Sequence, residues 1–271
     1  MNAWELPMAK DYLEVTTIIG CPVQCLKYCP QELIVKKYAG VPRLSLVDAS
    51  RYFNKVPSDR LIWFCGFSEP LINPATVSMM ELAHDLGHPV NLSTTLTGLS
   101  IEDAERLVQI PINLLTLHLP DALGNAHIKM DELYFAVLKI VLDGIPNIAF
   151  MAMNGIFTTN RTEEIARGTA PQYHKGKIFC KFLNAPNLQL MPNGDVYFCC
   201  MTRGLTGKIG SLKESSYLDF VEMIPEISER LSNNPDSICH HCSWATSYYG
   251  TEMPARIFRK VVGIRKLFGN M

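Results

Sequence analysis

The sequence predicts an α/β fold, an open partial barrel of (βα)6 type followed by a small α+β domain, and three observations carry that prediction. Short apolar runs rich in β-branched residues alternate with helix-like segments through residues 12–153, as expected of βα units around a parallel sheet. Near residue 155 the rhythm stops, and NGIFTTNRTEEIARGTAPQYHKGK, with its Gly, Pro and Thr and no strong apolar period, reads as a linker. Beyond it, LQLMPNGDVYFCC reads as a β-hairpin turning on Asn193-Gly194. The expected division is 1–155 for the barrel, 156–253 for linker and small domain, and 254–271 for a C-terminal helix. A doubly wound open sheet shows the same strand periodicity, so the pattern leaves both architectures open.

Each element has its own signal. The candidate strands are 12–19, 61–65, 89–95, 112–119 and 147–153. Asn73-Pro74 is a candidate N-cap and first-turn proline, and Ser100 with Asp103 is another start signal. Leu133, Val137, Ile140 and Val141 recur at helical spacing in the following segment. Two short helical segments are expected around 216–231, then the turn CHHC. The final ARIFRKVVGIRKLFGNM is a basic amphipathic helix, whose stripe either packs on the protein or lies on an anionic membrane surface; packing is the favoured reading.

Hydrophobic residues make up 48% of the 271 and charged residues 19%, with a net charge of -1. That is an ordinary globular composition, and it argues against disorder or a nucleic-acid partner. The first residues lack a basic region leading into an apolar run, and no stretch of ~18 uncharged residues occurs, so a cytoplasmic location is expected. Nine cysteines in a reducing compartment point to metal or cluster ligation rather than disulfides.

Cys21, Cys25 and Cys29 sit directly after the first strand, on a loop at the end where βα-barrel enzymes build their sites. Three thiolates within nine residues can hold three irons of a cubane and leave the fourth open, whereas a closed cluster or structural zinc needs a fourth ligand. The nearest histidine in sequence is His84. Cys180, Cys199 and the pair Cys239/Cys242 form a second, four-thiolate set, which chemistry alone leaves open to zinc or an iron-sulfur cluster.

GCPVQCLKYCPQ resembles the radical S-adenosylmethionine (SAM) superfamily, whose usual CxxxCxxC here carries one extra residue, with Tyr28 before the last cysteine. CGFSEP after the second strand resembles the Gly-Gly-Glu-like motif of that superfamily. The resemblance implies SAM contacts by Gly66, Ser68 and Glu69, the last holding the ammonium, and a ribose contact by Thr95 within LSTTLTG. LMPNGDVYFCC, GKIGSL and CHHC resemble the auxiliary-cluster domains called SPASM and Twitch, and Twitch fits better because no cysteine follows Cys242. Cys199, five residues after Gly194, matches the family pattern, which leaves Cys200 on the other strand face.

The resemblance further implies two [4Fe-4S] clusters, reductive cleavage of SAM to a 5′-deoxyadenosyl radical, and hydrogen abstraction from substrate, with the auxiliary cluster accepting an electron. A reductant protein such as flavodoxin or ferredoxin would feed the reaction. His118, at the end of the fourth strand, is the candidate base for an alcohol oxidation. A small, sugar-like substrate is expected, undergoing oxidation or epimerisation; a peptide substrate, or a zinc-stabilised binding module without catalysis, are the alternatives.

Overall fold

The computed structural model describes residues 12–25, 29–120, 124, 126–152, 174–180, 187–202, 204–242 and 245–247. The first half runs β1 (Tyr12–Val15), α1 (Gln31–Lys37), α2 (Leu46–Phe53), β2 (Leu61–Phe64), a 3-10 turn (Pro70–Ile72), α3 (Thr76–Asp85), β3 (Val90–Thr94), α4 (Ile101–Leu107), β4 (Ile112–Leu119), α5 (Glu132–Gly144) and β5 (Ile148–Ala152). There follow β6 (Ile178–Cys180), β7 (Asn187–Leu190), β8 (Asp195–Tyr197), β9 (Lys208–Ser211), α6 (Tyr217–Asn233), a 3-10 turn (Ile238–His241) and β10 (Ala245–Ser247).

Eight strands share one sheet in the order β5-β4-β3-β2-β1-β7-β8-β9, and β6 pairs with β10 in a separate antiparallel ribbon. Strands β1 to β5 are parallel and lie in chain order. Right-handed crossovers then set every connecting helix on the same face, whereas a doubly wound sheet reverses its order at a switch point. The topology is therefore singly wound. Strand β7 adds to the free edge of β1 in parallel, with Glu14 opposite Gln189, so the predicted hairpin extends the main sheet.

The two faces differ in chemistry. Leu13, Val15, Ile62, Phe64, Leu92, Leu115 and Leu117 are fully buried and share one core with Tyr52, Phe53, Met80, Leu107, Val137 and Val141 of the helices. The alternate residues, Tyr12, Glu14, Trp63, Asn91, Ser93, Thr116, His118, Asn187 and Gln189, fall on the other face. Parallel strands buried between two helix layers read as unbroken apolar runs; these alternate, because one face is polar.

Ser100 caps α4 as expected, accepting from Asp103 N at 3.0 Å. Three local expectations are corrected. Asn73 does not cap α3, whose N-cap is Ala75; instead its Nδ2 donates to Thr17 O and Leu44 O, both at 2.9 Å, tying three loops together. The segments expected around 216–231 are one continuous helix, α6, which tolerates Pro225. It starts with a Ser216–Asp219 capping box and buries Tyr217, Phe220, Ile224 and Ile227 along one side. The hairpin turn is longer than two residues: Gly194 N donates to Met191 O at 2.9 Å and Met191 N to Asp195 O at 2.9 Å, with Gly194 at φ 89°. Pro192 and Asn193 thus occupy the centre of a turn closed by a left-handed glycine. The C-terminal amphipathic helix expected over 254–271 lies outside the described residues. Among those that are described, no helix is long and apolar enough to cross a membrane.

Candidate functional site

Loops leaving β1, β2 and β3 meet at the carboxyl edge of the sheet, where open α/β folds place ligands. Their backbones are stitched together: Phe67 N donates to Thr16 Oγ1 at 3.0 Å, Ser68 Oγ to Ile18 O at 2.5 Å, and Thr17 Oγ1 to Pro70 O at 2.8 Å. Gly66 has φ 69°, and a Cβ there would stand 2.2 Å from Thr16 Oγ1 and 2.9 Å from Thr16 N, so glycine is required by conformation and by space.

The cysteine loop is held against this junction. Gln31 Nε2 contacts Cys29 Sγ at 3.2 Å and also donates to Phe67 O, bridging the loops after β1 and β2. Burial pushes the Cys21 thiol up to about 12; Glu69 and Cys29 add to the shift, while backbone N–H groups of Glu69 and Val23 oppose it. Cys29 N donates to Cys25 O at 3.0 Å. The predicted cluster loop and the predicted SAM loop are thus brought together, with Cys21 against Glu69; Tyr28 lies outside the described residues.

Glu69 is buried, only 6% exposed. Its Oε1 accepts from Thr94 Oγ1 at 2.5 Å and Leu71 N at 3.3 Å, and its Oε2 from Thr95 N at 2.7 Å and Thr95 Oγ1 at 2.8 Å. Burial raises its pKa from the ordinary range, and the bonds from Thr94 and Thr95 pull against that rise. Thr95, expected at a ribose, thus turns its hydroxyl to Glu69, with Thr97 Oγ1 at 2.9 Å on its other side. His118 is half-buried on the polar face, opposite Met151 of β5.

Cys180, Cys199, Cys239 and Cys242, the four residues named from the sequence, line one small cavity of about 20 Å³ together with Phe198, Met201 and Ile238. Neighbouring Cys200 first and burial second hold the Cys199 thiol well above its ordinary value; burial raises that of Cys239, helped by Cys180. Cys200 is not in the lining: its Sγ is 3.6 Å from Asn187 Nδ2, toward the sheet. No two of the nine cysteines form a disulfide. Among the described residues no three Cys, His, Asp or Glu side chains stand close enough to hold a single metal ion.

Sequence reasoning missed a buried polar network on the face of the sheet opposite the crossover helices. Asn187 Nδ2 donates to Tyr12 Oη and Glu14 Oε1, both at 2.7 Å, and Gln189 Nε2 donates to Asn187 Oδ1 at 2.8 Å. Beside it, the Trp63 ring lies 5.5 Å from that of Tyr12, and Trp63 Nε1 donates to Ser93 Oγ at 2.9 Å. Burial first, and Glu14 second, hold the Cys65 thiol well above its usual value. The signal was the strict alternation of Tyr-Leu-Glu-Val and Asn-Leu-Gln-Leu, a one-sided pattern.

Known structures share this fold. A structure of BtrN in complex with AdoMet and 2-DOIA superposes with a TM-score of 0.62 at 14% identity, covering 82% of this chain and 87% of that one. The chain has the radical SAM fold. BtrN in an open conformation gives a TM-score of 0.58 at 12% identity, over 86% of this chain and 92% of the other. The radical SAM fold is likewise that of anSMEcpe with bound AdoMet, at a TM-score of 0.51 and 11% identity over 86% of both chains. No sequence-family model and no curated protein sequence matches the chain.

Proposed function

We propose that this protein is a radical SAM enzyme in which Cys21, Cys25 and Cys29 hold a [4Fe-4S] cluster with one open iron and Gly66, Ser68, Glu69 and Thr95 form the SAM side of the site. The observation that carries the reading is the joining of the two loops: Gln31 ties Cys29 to the backbone of Phe67, and Cys21 meets the Glu69 backbone. When bound, the cluster and SAM supply a 5′-deoxyadenosyl radical that removes a hydrogen atom from substrate. The chain's own part is to orient the groups and exclude water, which the buried junction of three loops suits. As a carboxylate, Glu69 would offer a charged partner to the methionyl ammonium of a bound SAM.

The four-thiol cavity fits an auxiliary cluster. Its four thiols line one small cavity, a donor set of the kind that ligates a four-thiolate cluster, with zinc as the alternative. With such a cluster as electron acceptor and His118 as base, oxidation or epimerisation of a small polar molecule is the favoured outcome, in a cytoplasmic enzyme fed by flavodoxin or ferredoxin. The small ligand named with BtrN supports this class; anSMEcpe is also known with a bound Kp18Cys peptide, which keeps a peptide substrate as the second reading.

Anaerobic protein given a chemical reductant and SAM should release 5′-deoxyadenosine, and the joint change of Cys21, Cys25 and Cys29 to Ala should abolish it. Cleavage that survives this triple change would overturn the assignment.

A further inference from the structure

The polar face of the sheet presents acceptors that the described residues do not use. Among the described residues, Gln189 Oε1 and Asn91 Oδ1 are buried side-chain oxygens without a hydrogen-bond partner, in residues 0% and 6% exposed. They belong to one row across four strands, Gln189 of β7, Glu14 of β1, Trp63 of β2 and Asn91 of β3, which pair in register. Successive members of such a row stand about 4.8 Å apart, so the two oxygens lie on either side of Glu14 and Trp63.

The direction of the Gln189 amide is set by its neighbours. Asn187 turns its nitrogen to Glu14 Oε1, because a carboxylate oxygen accepts, and this points Asn187 Oδ1 at Gln189. Only the nitrogen of Gln189 can answer that oxygen, which leaves Oε1 as a fixed, unused acceptor. Reversing either amide would set oxygen against oxygen. An unanswered buried acceptor is destabilising, a cost that a ligand donor removes. Between the two acceptors, the half-buried Trp63 indole is pinned by its bond to Ser93 and its contact with Tyr12, offering an apolar surface to C–H groups.

We propose that Gln189 and Asn91 are specificity-determining residues whose oxygens accept hydrogen bonds from the hydroxyl or amino groups of a small polyhydroxylated ring enclosed over Trp63. This rests on the proposed radical SAM function and names the substrate class of that same enzyme. A site built to bind hydroxyls rejects analogues that lack them far more strongly than it rejects a missing methylene, so these two amides would set selectivity.

The test uses the full-length, cluster-loaded protein with SAM present, titrated by calorimetry with myo-inositol, scyllo-inositol, glucose and glucosamine, and with cyclohexanol as the hydroxyl-poor control. At least one of the four should bind saturably and cyclohexanol should not. Gln189→Met and Asn91→Leu should each weaken that binding tenfold or more, with melting temperature and iron content checked to show that the variants are folded. Gln189→Glu, which keeps an acceptor, should lose less than Gln189→Met. No binding by any of the four, or binding unchanged in Gln189→Met, would overturn the proposal. SAM binding measured in the same wild-type sample separates this failure from failure of the functional reading.

Discussion

Glu69 shows how much a single buried side chain does at this site. Its carboxylate joins the end of β3 to the loop after β2 through three bonds accepted from Thr94 and Thr95, with a fourth from Leu71 N, so any ligand that it holds is held by a pre-set group. In Glu69→Gln the new amide nitrogen meets backbone and hydroxyl donors, which should cost about 1–3 kcal/mol and also weaken SAM binding. Melting curves and SAM titration together check this; a lower melting temperature with unchanged SAM affinity would reduce Glu69 to an internal tie. Gly66→Ala should also destabilise, by more than roughly 1 kcal/mol, because the new Cβ meets the Thr16 backbone at positive φ. Chemical denaturation measures the loss, and full stability in Gly66→Ala would mean that the loop moves freely. The cysteines and Glu69 were singled out because their segments resemble superfamily motifs, and the fold brings those segments together. Thr95 was legible only as one of several threonines, and its bond to Glu69 was not, because a contact between residues 26 apart leaves no mark in local sequence.

At the scale of elements, strand positions came through to within a few residues because alternation and β-branching are local properties. The errors were also local competitions. Asn73 had the sequence of a cap, but three buried loops needed its amide more than α3 did. Two short helices were expected where α6 runs unbroken, because the stripe Tyr217, Phe220, Ile224 and Ile227 packs as one face and outweighs the backbone bond that Pro225 lacks. The start of α6 yields a pH prediction. The Ser216 backbone N–H, then its hydroxyl, holds Asp219 below the usual carboxylate range. A depressed folded-state pKa adds stability above the unfolded value, lost as pH falls through the folded one. Asp219→Ala should therefore melt lower than wild type at pH 7, and the difference should close as the pH drops below about 3.8; a gap constant with pH would show that the carboxylate charge is irrelevant.

Across the whole molecule, periodicity could not say whether the helices lie on one face of the sheet or on both, since that depends on strand order. Order β5-β4-β3-β2-β1 settles it, and it leaves the opposite face bare of crossover helices for the polar network of Glu14, Asn187 and Gln189. The addition of β7 to β1 was equally invisible, because it joins residues 175 apart. That pairing links the two cysteine groups through one sheet: Cys21 follows β1, and Asn187 of β7 touches Cys200 beside the four-thiol cavity. The central claim, two iron-sulfur sites on this frame, is tested most directly by iron and zinc analysis of anaerobically purified protein, wild type beside the Cys21, Cys25 and Cys29 triple alanine variant. The account predicts about eight irons per chain in the wild type and roughly half in the variant; stoichiometric zinc without iron would contradict it.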